Sequence, residues 1–158
     1  MWLTRRHLLI LAAASTATAA RATSLLARPP GPIALEGFDP VSYFLGAPEP
    51  GQVAFEVAWG GRTWRFARAA NQAAFRGDPV RYAPRLGGFD PIGVLSGRLV
   101  DTDPSIFVCL PDGEGLARLY LLRSAEHRTR LLAEPALADR AERRWPDLRD
   151  QIERDFPD

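Results

Sequence analysis

Among the side chains that could do chemistry, Asp39, Asp90, Cys109 and His127 stand out by type and position. Cys109 is the single cysteine of the chain, and His127 the single histidine beyond residue 22. Thiolate and imidazole suit zinc or copper, but a protein-held site needs three or four ligands. With no second cysteine and no zinc-type His/Glu spacing, a metal site would have to be assembled by the fold. The plainer readings make Cys109 a small apolar residue in a strand and His127 a surface or half-buried residue on the first turn of a helix. Asp39 and Asp90 occupy matching places in Gly37-Phe38-Asp39-Pro40 and Gly88-Phe89-Asp90-Pro91. In such a turn the aspartate caps nearby amides and the proline fixes φ. If the two carboxylates converged, they could instead take a hard cation or act as a weak acid–base pair.

The elements that must position these residues follow from local pattern. Val53, Phe55, Val57 and Trp59 alternate with Ala54, Glu56 and Ala58, which predicts a half-buried strand. Gly60-Gly61 predicts a tight hairpin turn into a return strand from Thr63 to Phe66. A short helix follows from Ala69 to Arg76, its apolar face drawn from Ala70, Ala73, Ala74 and Phe75. Gly77-Asp78-Pro79 stops it. Leu95 to Val100 is a candidate strand around Ser96-Gly97. Ser105 to Leu110 and Leu116 to Leu122 are stronger ones. Ser124 is placed to cap a helix from Ala125 to Ala133. A second helix is expected from Ala136 to Arg144, ended by Trp145-Pro146, with a frayed helix from Leu148 to Phe156.

The Gly-Phe-Asp-Pro turn recurs after 51 residues, and Pro79 and Pro135, each beyond a helix, lie 56 apart. Between them, Phe66-Ala67-Arg68-Ala69-Ala70-Asn71 matches Leu121-Leu122-Arg123-Ser124-Ala125-Glu126 at an offset of 55. A repeat of this size would be two ββα-like units sharing one core, since neither could bury its apolar face alone. Coincidence in an alanine- and arginine-rich sequence is the other reading.

The first residues read as an address. Arg5 and Arg6 precede an apolar run of only about 13 residues, against roughly 20 for a membrane span. Small-x-small sites ending at Ala19 and Ala22 fit signal-peptidase cleavage. The arginine pair is similar to a twin-arginine export signal, with the general secretory route as the alternative. The expected organisation is a signal peptide over residues 1–22, a proline-rich linker over 23–33, a domain over 34–148 and a tail over 149–158. From residue 23 onward 17 arginines face 19 acids. Such a mixed surface argues against a nucleic-acid binder.

Gly37 to Phe44 resembles the Gly-Tyr-Asp-Pro-Val-x-Tyr-Phe opening of exported YHS-domain proteins. The segments Gly61 to Phe66, Asn71 to Phe75, Asp78-Pro79, Tyr82-Ala83-Pro84, Gly87-Gly88-Phe89, Leu119 to Leu121 and Ala141 to Pro146 resemble further family stretches, in order. The resemblance covers about residues 34 to 148. It implies a small exported binding domain, with metal binding in some relatives through a cysteine after Gly-Gly-aromatic. Here that place is Asp90, so the thiol-based site does not carry over.

The expected fold is α+β: a single small domain of antiparallel β-hairpins packed with short helices, with pseudo-repetition as one arrangement. The expected function is a non-catalytic binding module in the periplasm or another extracytoplasmic space, with a metal ion or small ligand as its cofactor and no ligand motif to choose between them. Partners would be the export machinery and an envelope protein, with no nucleic acid and no permanent membrane span. The alternatives are a small enzyme using the paired aspartates, or a docking protein of an envelope complex. No lysine is present, and no nucleophile–histidine pair or phosphate loop is visible. The aromatics Tyr43, Phe44, Trp59, Trp64, Tyr82 and Trp145 are read as mostly core, with a minority free to line an apolar pocket between the halves. Arg140, Arg143 and Arg144 are read as a solvated helix face.

Overall fold

The computed structural model describes residues 31–155. The signal-peptide reading over residues 1–22, with Arg5, Arg6, Ala19 and Ala22, lies outside the described residues. Within them no helix is long and apolar enough to cross a membrane.

Two hairpins carry the fold, and each is followed by helices. In the first, β1 (Gln52–Trp59) pairs antiparallel with β2 (Arg62–Phe66). Gly60 and Gly61 make the turn at φ 58° and 73°, the left-handed pair that matches the twist of the strands. A bulge between Gln52 and Glu56 breaks the register. It takes Val53 out of the expected inward row and leaves it 69% exposed, while Phe55, Val57 and Trp59 pack inward. Helix α1 (Ala69–Gly77) buries Asn71 and Phe75, one turn apart. Ala70 and Ala73 are exposed, so the inward face is not the alanine face expected. A single turn, α2 (Pro79–Tyr82), follows, with Asp78 accepting from the Arg81 amide.

The second half repeats this order. The strand expected from Leu95 to Val100 does not form: helix α3 (Pro91–Leu95) ends at the first of those residues, and a turn and irregular chain follow. The close approach of Gly93 to Val100, where a Cβ would lie 2.6 Å from Val100 Cγ2, turns the chain back on itself. The Val100 carbonyl accepts from the Asp90 amide instead of joining a sheet. Strands β3 (Asp103–Pro111) and β4 (Ala117–Leu122) form the second hairpin. Ser124 caps α4 (Ala125–Ala133) by accepting from the His127 amide. Helix α5 (Ala136–Asp155) runs on through Pro146. There is therefore neither a break at Trp145-Pro146 nor a separate tail from residue 149. The linker also ends earlier than expected: the Pro32 carbonyl accepts from the Thr63 amide, and Ile33 bridges to Thr63.

A two-stranded hairpin is marginal alone, and here both are packed into cores, the second on both faces, with Leu119 to Leu122 of β4 all buried. Trp64, Phe66 and Phe75 fill the first core. Val94, Val108, Tyr120, Leu122, Leu131, Leu137 and Ala141 fill the larger second one. Tyr43, on the 3₁₀ turn Ser42–Leu45 of the first half, joins them. It packs edge-on to Phe107 and donates its hydroxyl to the Pro104 carbonyl at 2.8 Å. It shares a cluster with Leu119 and Leu121.

Candidate functional site

Each half opens with a short left-handed turn. Leu35, Glu36 and Gly37 have φ of 52°, 52° and 93°; Leu86, Gly87 and Gly88 have 57°, 63° and 86°. The turns close with Phe38 N–H donating to Leu35 O and Phe89 N–H to Leu86 O. Residues other than glycine are uncommon in this region, so the same backbone in both copies marks a true structural repeat.

The turn delivers an aspartate inward. Asp39 is fully buried. Its Oδ1 accepts from Val41 N–H at 2.8 Å, and its Oδ2 from Ala67 N–H at 2.8 Å and Asn71 Nδ2 at 2.6 Å. Asp90, also fully buried, accepts at Oδ1 from Ile92 and Gly93 N–H, and at Oδ2 from Arg123 N–H at 2.7 Å. His127 Nδ1 completes the set, 2.9 Å from Oδ2. Each carboxylate thus ties its own turn to the strand–helix junction after its own hairpin. The equivalences Ala67–Arg123 and Asn71–His127 place the second half at an offset of 56 there, one residue from the sequence alignment.

The expected convergence of Asp39 and Asp90 is not formed, because the donors to each come from its own half. A carboxylate that already receives three or four hydrogen bonds and has no exposed surface is poorly placed to take a cation or trade protons with a substrate. His127 is brought to Asp90, a contact invisible in linear spacing. With three backbone N–H groups aimed at it, Asp90 acts as the acceptor, and His127 donates to it from Nδ1. Cys109 lies elsewhere, on β3 opposite Leu119, half-buried, its Sγ 3.8 Å from the Tyr43 carbonyl. Burial raises its thiol pKa, which disfavours the thiolate needed for a metal ligand. Among the described residues no group of three or more His, Cys, Asp or Glu side chains could hold a metal ion. The donor set does not fit a metal centre.

What the geometry builds instead is a cleft where the two halves meet. Trp59 and Trp64 come from the first hairpin and Trp145 from α5. Val80, Ala83 and Leu86 add apolar wall, in a volume of about 620 Å³. Gly87 lies against Trp145: a Cβ there would sit 3.2 Å from the indole. A second, smaller cleft of about 340 Å³ adjoins it and shares Arg62, Trp64, Pro84 and Gly87. It carries Glu36 and Asp101.

One wall is held by a charged network that the sequence reading missed. Arg85 grips Glu142 with two parallel bonds, Nε to Oε1 at 3.0 Å and Nη2 to Oε2 at 2.9 Å. Tyr120 donates its hydroxyl to the same Oε1. Arg118 Nη1 reaches Asp139 at 2.9 Å and Glu142 at 3.3 Å. Burial pushes the Glu142 pKa upward, but the bonds from Arg85 and Tyr120 and the two guanidinium charges outweigh it and hold the carboxyl below its usual value. Burial, reinforced by Glu142, raises the Tyr120 phenol. The one sequence cue was Glu142 among the charges of an otherwise ordinary amphipathic helix.

No protein family, curated protein or solved structure matches the chain.

Proposed function

We propose that this chain is a non-catalytic binding module whose small-molecule ligand sits in the cleft between its two repeats. The observation that carries this reading is the convergence of Trp59, Trp64 and Trp145 on one cavity beside an ion pair. Its volume, about 620 Å³, lies in the range of small-molecule sites, where an apolar lining with a few fixed polar groups is usual. The saturated aspartates support a role in holding the fold, which weakens the paired-aspartate enzyme as an alternative. The resemblance to exported YHS-domain proteins and the leading arginine pair extend the proposal to an extracytoplasmic, envelope-located module, and an envelope protein as its partner belongs to the same proposal.

The test is native mass spectrometry of the mature protein purified from its own cell envelope, together with elemental analysis. An organic molecule should be retained at one per chain. It should be displaced in Val80→Trp, which fills the rim of the cleft from a position 63% exposed. A stoichiometric metal with no organic molecule, or a ligand unaffected by Val80→Trp, would defeat the reading.

A further inference from the structure

The charges around the cleft give the chemistry of its occupant, an inference that rests on the cleft being the binding site. Three arginines line the tryptophan-walled cavity, Arg62, Arg85 and Arg149, against one carboxylate, Glu142. Glu142 is fully engaged by Arg85, Tyr120 and Arg118. A local excess of positive charge stands out on a chain whose portion beyond residue 22 has 17 arginines and 19 acids.

Arg62 is placed differently from the other two. Arg85 is committed to Glu142 at 2.9 Å, and Arg149 contacts Asp150 at 3.0 Å. Among the described residues no carboxylate pairs with Arg62. It stands at the tip of the first hairpin, opposite Trp59, on the boundary shared by both cavities. Glu36 and Asp101 in the smaller cavity would repel an anion from that side. An anionic group is therefore favoured on the tryptophan side of Arg62, with its apolar body between Trp59 and Trp145. A cation would meet the aromatic faces, but only beside the Arg62 guanidinium, whose charge no carboxylate among the described residues offsets.

We propose that the ligand is an amphipathic organic anion, a flat apolar ring system bearing one carboxylate, with Arg62 as the residue that binds the charge. A planar guanidinium can hold a carboxylate by two parallel bonds. The indole walls supply stacking area for the ring.

Isothermal titration of the purified protein with 2-naphthoate, 2-naphthylmethanol and 2-naphthylmethylammonium separates the possibilities at constant ring size. The carboxylate should bind at least tenfold more tightly than either of the others, and its affinity should fall as salt is raised. Arg62→Gln, at an exposed position, should keep the far-ultraviolet circular dichroism and bring the carboxylate down to the affinity of the alcohol. An alcohol or ammonium bound as tightly as the carboxylate would overturn the charge assignment while leaving the cleft as the site. A carboxylate preference that survives Arg62→Gln would overturn the role of Arg62. Binding of none of the three would overturn the ligand class, and the cleft would then stand or fall with the native mass spectrometry.

Discussion

A buried carboxylate that receives several backbone N–H groups cannot be truncated without leaving those donors dry. Asp39→Ala would orphan Val41 and Ala67 N–H, and Asp90→Ala would orphan Ile92, Gly93 and Arg123 N–H. Each substitution should cost about 3 kcal/mol or more, since every unsatisfied buried donor is worth roughly 1–3 kcal/mol; urea denaturation measures it. The repeat supplies a control. Asn71 donates to Asp39 where His127 donates to Asp90, so His127→Asn can restore the same bond from the same helical position. It should change stability by less than about 1 kcal/mol, whereas His127→Ala should cost about 1–3 kcal/mol. If His127→Asn were as damaging as His127→Ala, the imidazole would have a role beyond tying α4 to its turn. At this scale the sequence was half legible. Both aspartates were visible from Gly-Phe-Asp-Pro, and capping was the plain reading of that motif. Their partners were not visible, because Ala67, Asn71, Arg123 and His127 lie across a hairpin whose length differs between the halves.

Among the elements, α5 shows most clearly how packing overrides local signals. An interior proline removes one hydrogen bond and crowds the preceding turn, at roughly 3 kcal/mol, which is why Trp145-Pro146 reads as a stop. The helix continues because residues on both sides of the proline are held. Trp145 packs on Phe89 with ring centroids 6.1 Å apart, and Leu148 is buried in the main core. Glu142, one turn before the proline, is clamped by Arg85 and Tyr120. None of those partners is local, so no window of sequence could weigh them. The hairpins were legible for the opposite reason: alternation and Gly60-Gly61 are local signals, while the register breaks between Gln52 and Glu56 and between Asp103 and Phe107 escaped them. The clamp also predicts a pH response. The folded Glu142 carboxyl titrates below its usual value near 4.5, so its contribution is complete above that value and is lost as pH falls through the lower folded one. Stability should therefore decline on acidification below about pH 4.5. Glu142→Gln should be less stable at neutral pH and show a shallower decline, read from urea midpoints across the acid range. Parallel curves for the two proteins would remove Glu142 from the acid response.

For the whole molecule, the α+β class and the two-part organisation could be read from the turns and hairpins. How the halves join could not, since the join depends on Tyr43 meeting Phe107 and Pro104 some sixty residues away. Tyr43 is the main aromatic of the first half inside the cluster shared with β4. Tyr43→Phe removes one buried hydrogen bond and should cost about 1 kcal/mol. Tyr43→Ala should cost about 3–5 kcal/mol. It should also broaden the unfolding transition, with the tryptophan signal of the first half departing from the far-ultraviolet signal of the whole. Coincident transitions in Tyr43→Ala would show that the halves are held together elsewhere.

The left-handed turns make the two copies unequal donors of sequence to one another. Glu36 sits at φ 52° where its counterpart Gly87 sits at 63°. Grafting the glycine backwards, Glu36→Gly, relieves a backbone penalty of about 1–2 kcal/mol and gives back about 0.4–1 kcal/mol in the unfolded chain, so it should be neutral or mildly stabilising. Grafting forwards, Gly87→Glu, imports that penalty and drives a side chain against Trp145. Drift between the copies is thus a one-way street, and the bare backbone at position 87 is the gate that keeps a hollow beside the indole from silting up.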